Sequence, residues 1–137
     1  MDYKQLKDYL AEKHEIRELA ARLAKPLGQE EFYTHATILD YRKGYPQPRT
    51  ITGYDTETEK SARQRWILRK ARLEARTGEV EKYIDEISDS RTRRCFTMYF
   101  MDGFKEAAIG RKLHIDQSMV SRLIREQLRR TGIEKYS

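Results

Sequence analysis

The side chains with a recognisable chemistry gather near the C-terminus. Gln117, Ser118, Met119, Ser121, Arg122 and Arg125 occupy the opening turns of one helical pattern. A guanidinium group can donate two hydrogen bonds to the major-groove edge of guanine, and a glutamine amide can pair in the same bidentate way with adenine. These six residues are the candidate readers of base edges. Arg93, Lys105, Arg111, Lys112 and Arg129 add fixed positive charge close by. They are the candidate phosphate contacts, which place a protein on a duplex without reading its sequence.

Such side chains need a helix held at a defined angle. Three short helical patterns follow one another between Arg91 and Thr131. The first runs from Arg91 to Met101 and is interrupted at Asp102-Gly103, where glycine can take the backbone conformation that ends a helix. The second runs from about Lys105 to Leu113. After a break at His114-Ile115-Asp116, the third begins near Gln117, with Asp116 placed as an N-cap whose carboxylate can accept backbone N–H groups of the first turn. Phe104, Ala108, Ile109, Leu113 and Ile115 are the apolar set before the third helix. Val120, Leu123, Ile124 and Leu128 recur at helical spacing and form its inward stripe. A helix, a tight turn and a second helix rich in polar and basic groups is the arrangement of a helix-turn-helix.

The run Gly103-Phe104-Lys105, Ile109-Gly110, Leu113-His114-Ile115-Asp116 and Val120 resembles the region-four helix-turn-helix of bacterial sigma factors. That pattern reads roughly G-L-S-x-x-E-I-A-x-x-L-G-I-S-x-x-x-V and fits from Gly103 to Val120 without a gap. The departures are Lys105, Ala108, Gly110, His114 and Asp116. Gly110 keeps a small residue where two helices would cross, although glycine costs roughly 1 kcal/mol of helix propensity relative to alanine. His114 stands where the turn favours φ > 0, a conformation that suits glycine better. A charged N-terminal helix, a polar linker with Pro and Gly, a second charged helix and this motif make a layout that, over most of the chain, is similar to the ArpU-like and RinA-like transcriptional regulators of phages and prophages, with residue-level motif in about the last third. That resemblance implies control of late or lysis genes, and a sigma-like module that could touch RNA polymerase as well as promoter DNA.

Composition bounds the rest. The chain has 137 residues, 38% hydrophobic and 36% charged, so its core must be thin. No apolar run approaches the roughly 18 residues of a membrane span, and MDYKQLKDYL contains no apolar signal-peptide core. The expected location is the cytoplasm of a bacterial host cell, with no membrane partner. The single cysteine, Cys95, excludes an internal disulfide and a cysteine zinc site, and reads as a buried structural thiol. Residues 1–56 hold 9 basic and 9 acidic groups, and residues 57–90 hold 8 of each. Residues 91–137 hold 11 basic and 5 acidic groups, so the whole net charge of +6 lies in the segment with the motif. A surface of that kind releases counterions from a polyanion and binds it in a salt-dependent way.

Upstream, a first helix is expected from Asp2 to about Ala24, with Leu6, Leu10, Ile16, Leu19, Ala20, Leu23 and Leu27 as its stripe and Pro26 and Gly28 ending it. Residues 25–56 read as an irregular linker broken by proline and glycine, in which Glu30 to Tyr41 could be helical. Tyr33, Tyr41, Arg42, Lys43, Tyr45 and Arg49 interleave aromatic and basic groups there, as nucleic-acid surfaces sometimes do; packing of the tyrosines on neighbouring helices is the plainer reading. A second long helix is expected from Thr56 or Thr58, with Trp66, Leu73, Val80 and Ile87 at intervals of seven and Gly78 as a point where it could split. Residues 60–76 contain seven bases and one acid, and residues 79–89 five acids and one base. That polarity could direct pairing with the first helix or with another protomer. The expected architecture is all-α. Residues 1–89 form a helical hairpin and oligomerisation region, and residues 90–137 a helix-turn-helix domain that binds double-stranded DNA as a homodimer.

Enzymatic chemistry finds no support. His14, His35 and His114 fall in different elements without metal-ligand spacing, and neither a phosphate-cradling glycine loop nor a Gly-x-Ser-x-Gly elbow is present. No metal or cofactor is expected. The competing reading is a DNA-packaging protein of the small-terminase kind, which joins a helix-turn-helix to a ring-forming helical part. A third is a polymerase-interacting module that no longer binds DNA.

Overall fold

Tyrosine and leucine at positions 3, 6 and 9 lie on one face of a helix, since residues three and four apart are neighbours on a helical surface. In the computed structural model they are the buried face of α1, Tyr3–Ala24. The structure describes residues 1–26, 33–40, 47–54 and 56–134, with side chains described for 1–26 and 57–134. The element order continues with strands β1 (Tyr33–Asp40) and β2 (Gln47–Tyr54), then α2 (Thr56–Asp85), α3 (Ser90–Phe96), a π-helical continuation (Thr97–Met101), α4 (Glu106–Leu113) and α5 (Gln117–Arg130).

Helices make the framework, as expected, and the hairpin is the departure. β1 and β2 pair antiparallel, with Tyr33 opposite Tyr54 and Asp40 opposite Gln47. Tyr33–Asp40 is therefore strand and not helix. The reason is compositional: Thr34, Thr37, Ile38, Thr50, Ile51 and Thr52 are β-branched, and branching at Cβ favours extended backbone. Pro48, opposite Leu39, is tolerated because both strands of a two-stranded sheet are edges. Leu27, Gly28, Tyr41, Arg42, Lys43 and Tyr45, and the side chains of His35, Tyr33 and Arg49, lie outside what is described.

Two units partition the chain: residues 1–17 with 71–137, and residues 18–70. The boundary expected near residue 89 falls inside the first unit. There Val80, Ile84 and Ile87 of the α2 end share one core with Tyr3, Leu6 and Tyr9 of α1, with Cys95, Phe96 and Phe100, and with Ile109, Val120, Ile124 and Leu128. Residues 90–137 alone would lack half of that apolar partner surface. Phe96 sits at the centre, tilted against Tyr83 and Phe100 with centroids 5.9 and 5.4 Å away, and Tyr3 meets Phe100 edge-on at 6.1 Å.

Polar bridges fasten α1 to α2 within this unit. Arg76 Nε donates to Glu12 at 2.8 Å, and the Tyr9 hydroxyl donates to Glu81 Oε1 at 2.7 Å, where Lys13 also arrives at 3.2 Å. Burial, and then the bond to Glu81, raises the Tyr9 phenol well above its ordinary pKa. The same bond lowers Glu81, against the opposing effect of its burial. In the second unit Arg63 pairs with buried Glu59 at 3.2 Å and donates to the carbonyl of Leu23, in the last turn of α1, and to that of Lys25, just past it. Gly78 does not split α2, which runs unbroken across it.

Candidate nucleic-acid interface

The geometry of the C-terminal segment starts at Asp89. Its carboxylate accepts from the backbone N–H and the hydroxyl of Thr92, at 2.9 and 2.7 Å, and so opens α3; these bonds hold its pKa below the usual value. α3 runs into a wider π turn that closes with Asp102 N–H on the Thr97 carbonyl at 3.0 Å. Gly103 then takes φ +77°, with Leu10 so close that a Cβ would lie 3.0 Å from its Cδ2. The expected interruption at Asp102-Gly103 is therefore present, and it is a packed one.

α4 ends at His114, in the left-handed region at φ 59° and ψ 43°. This is the positive φ expected of the turn, held here by a histidine. The N–H of His114 and that of Ile115 both return to the Gly110 carbonyl, which closes the turn on α4. Gly110 is itself buried, and a Cβ there would stand 2.8 Å from the Ile115 carbonyl oxygen. Asp116 occupies the N-cap position of α5 with extended backbone, but its side chain makes no capping bond. Its carbonyl receives Met119 and Val120 instead, at 3.0 and 3.2 Å. The expected carboxylate cap is corrected accordingly.

α5 divides cleanly. Val120, Ile124 and Leu128 are buried, and Leu123 packs against the same core, half-buried. Ser118, Arg122, Arg125 and Arg129 are exposed and follow at spacings of four, three and four, which makes one outward stripe. Gln117 is exposed at its start. Met119 and Ser121 flank the stripe, half-buried; the Met119 sulfur accepts from Arg122 Nη2 at 3.5 Å. The six candidate base readers thus share the first turns of one helix, four of them fully outward.

The candidate phosphate contacts are less uniform. Lys105 is exposed at the N-cap of α4; Arg111 and Lys112 are exposed in its last turn, where positive charge is favourable to the helix dipole. Lys112 stands 4.8 Å from the ring centre of Phe104, which is exposed and not part of the apolar interior expected for it. Arg93 is a different case. It is half-buried and donates to the Ile87 carbonyl at 2.6 Å, so it closes the α2–α3 corner. Ala108 is half-buried, while Ile109 is fully enclosed.

A cavity of about 380 Å³ lies beside the stripe, with Ser121, Arg125 and Arg129 on its α5 side. Tyr3, Tyr99 and Glu106 line it from three other elements, and Ile133 and Glu134 from the segment after α5. Their contribution left no trace in the sequence pattern, because nothing in the periodicity of α1 or the π turn relates them to α5. Burial raises the Cys95 thiol above its ordinary pKa, in keeping with a structural role. Among the described residues no group of acidic, histidine and cysteine side chains could hold a metal ion, and no helix is long and apolar enough to cross a membrane. No family model, curated protein or solved structure matches the chain.

Proposed function

We propose that the chain is a sequence-reading transcriptional regulator that binds double-stranded DNA through a helix-turn-helix formed by α4 and α5. The observation that carries this reading is the division of α5: three buried aliphatic residues anchor it, and Ser118, Arg122, Arg125 and Arg129 line its free face, with Gln117 at the tip. Helix-turn-helix proteins lay the second helix in the major groove with its N-terminal residues on base edges. The tight turn at His114, and the whole of the net charge within residues 91–137, support the same reading.

In this reading Gln117, Ser118, Met119, Ser121, Arg122 and Arg125 face the bases. Lys105, Arg111, Lys112 and Arg129 hold phosphates. Arg93 acts through the fold. The regulator works as a homodimer in the cytoplasm of a bacterial host, because one small module reads few base pairs and a two-fold pair reads two half-sites about one DNA turn apart. The sigma-like motif adds phage or prophage late-gene control, with RNA polymerase as a second partner. The pairing of α1 with α2 as a helical hairpin would carry the oligomerisation.

Selection of duplex DNA from a random library tests the reading, with the mass of the complex measured in parallel. A two-fold symmetric site bound by two copies agrees with it. A ring-sized assembly would point to DNA packaging, and the absence of any enriched sequence would leave a polymerase-directed module.

A further inference from the structure

The cavity beside α5 has a floor of Ile124, Leu128 and Ile133, and two aromatic side chains, Tyr3 and Tyr99, line it. Its size is at the small end of ligand sites, which run from roughly 300 to 1,000 Å³. Charged side chains of both signs line it. Arg125 and Arg129 stand one helical turn apart on α5; Glu106 comes from the first turn of α4 and Glu134 from the segment after α5. No ion pair within 4 Å joins these acids to these arginines among the described residues. A ligand of one sign would meet repulsion from the side chains of like charge. A small zwitterion with an apolar body answers both signs of charge and the apolar lining at once.

We infer that this cavity is a binding site for a free apolar α-amino acid, aromatic or branched. Its carboxylate lies against Arg125 and Arg129, its ammonium against Glu106 and Glu134, and its side chain over Ile124, Leu128 and Ile133. A guanidinium suits the carboxylate because its N–H groups match two oxygens side by side. The consequence for control, which rests on the DNA-binding reading above, is direct. Arg125 and Arg129 belong to both surfaces, so the amino acid and DNA exclude each other, and a rising amino-acid level releases the protein from its site.

The test uses the full chain with L-phenylalanine, L-leucine, 3-phenylpropionate and phenethylamine, titrated by calorimetry and by saturation-transfer NMR. Saturable one-to-one binding of L-phenylalanine or L-leucine is expected. The two single-charge analogues of phenylalanine should bind at least about tenfold more weakly, a factor of ten being about 1.4 kcal/mol. Arg125→Ala with Arg129→Ala should abolish binding without changing the melting temperature, since both side chains are exposed. Equal affinity for all four compounds, or no saturable binding of either amino acid, overturns the site. Competition is read separately on the selected DNA: Glu106→Gln should keep DNA affinity but lose its sensitivity to the amino acid. Amino-acid binding without competition overturns the shared-arginine mechanism. A protein that selects no DNA but binds the amino acid overturns the DNA reading and leaves the cavity assignment standing.

Discussion

Gly110 and His114 show how much a turn can depend on single residues. At Gly110 alanine would gain helix propensity of roughly 1 kcal/mol, but its methyl would stand 2.8 Å from the Ile115 carbonyl oxygen, a backbone atom that cannot swing away. Gly110→Ala is therefore expected to lose about 1–3 kcal/mol, the usual cost of overpacking, as a lower urea midpoint with an unchanged slope. His114→Gly goes the other way. Left-handed backbone costs a non-glycine residue roughly 1–2 kcal/mol, and glycine's greater freedom when unfolded returns part of that, so a gain of up to about 1 kcal/mol is expected in the same assay. The arginines separate by what they touch. Arg122→Ala and Arg125→Ala should each weaken binding to the selected site by about 1–3 kcal/mol and relax preference at one position. Arg93→Ala should lower stability, because it removes the donor to the Ile87 carbonyl, and leave the salt dependence of binding unchanged. Filter-binding isotherms on single-base variants of the site, beside urea melts, check all three.

At the scale of elements, periodicity was informative wherever a helix had one buried face. The starts of α4 and α5, the end of α1 and the inward set Val120, Ile124 and Leu128 were all legible from spacing. Tyr3 and Tyr9 were not, because an aromatic residue with a polar tip reads equally well as surface. The hairpin was hidden because proline and glycine dominate the look of residues 25–56, while the threonine and isoleucine content that favours strands is spread thinly between them. Gly78 was misleading for the opposite reason: its helical neighbours on both sides outweigh one weak position. Nothing lies within 4 Å of a Cβ built there, so Gly78→Ala should stabilise by about 0.5–1 kcal/mol, visible as a higher melting temperature. Val120→Asp tests the inward face of α5. Val120 is fully buried, and an unpaired carboxylate there should abolish the cooperative melt of the first unit. A variant that melts like the wild type would contradict the assigned face.

Across the molecule, stability is tied to titration at the joins between elements. Glu81 and Asp89 have lowered pKa values in the fold, Glu81 chiefly through the Tyr9 bond and Asp89 chiefly through Thr92. The stability they add is complete above the ordinary carboxylate range and is lost as pH falls through their lowered values, so acid unfolding should set in below about pH 4. Tyr9 is raised, so its contribution is complete below the ordinary phenol value of about 10 and is lost as pH rises beyond it. Tyr9→Phe should remove that alkaline limb, measured as urea midpoints between neutral and alkaline pH. The unit boundaries belong to this scale too. Sequence spacing separates residues 1–89 from 90–137, whereas one core joins α1 and the end of α2 to buried residues of α3, the π turn, α4 and α5. Contacts between residues some eighty positions apart leave no periodic mark in a single sequence. The outward positions of α5, by contrast, were legible except at Met119 and Ser121, which are half-buried, because a helix face is a local property.

The most direct test of DNA recognition by α5 is selection of the 137-residue chain against a random duplex library, followed by affinity for the winning site across a salt series. The expected result is an enriched two-fold symmetric sequence with half-sites about one turn apart, bound with an affinity that falls steeply as salt rises. An unenriched library, or a winning site bound equally well by Arg122→Ala and Arg125→Ala proteins, would contradict the assignment of α5 as the reading helix.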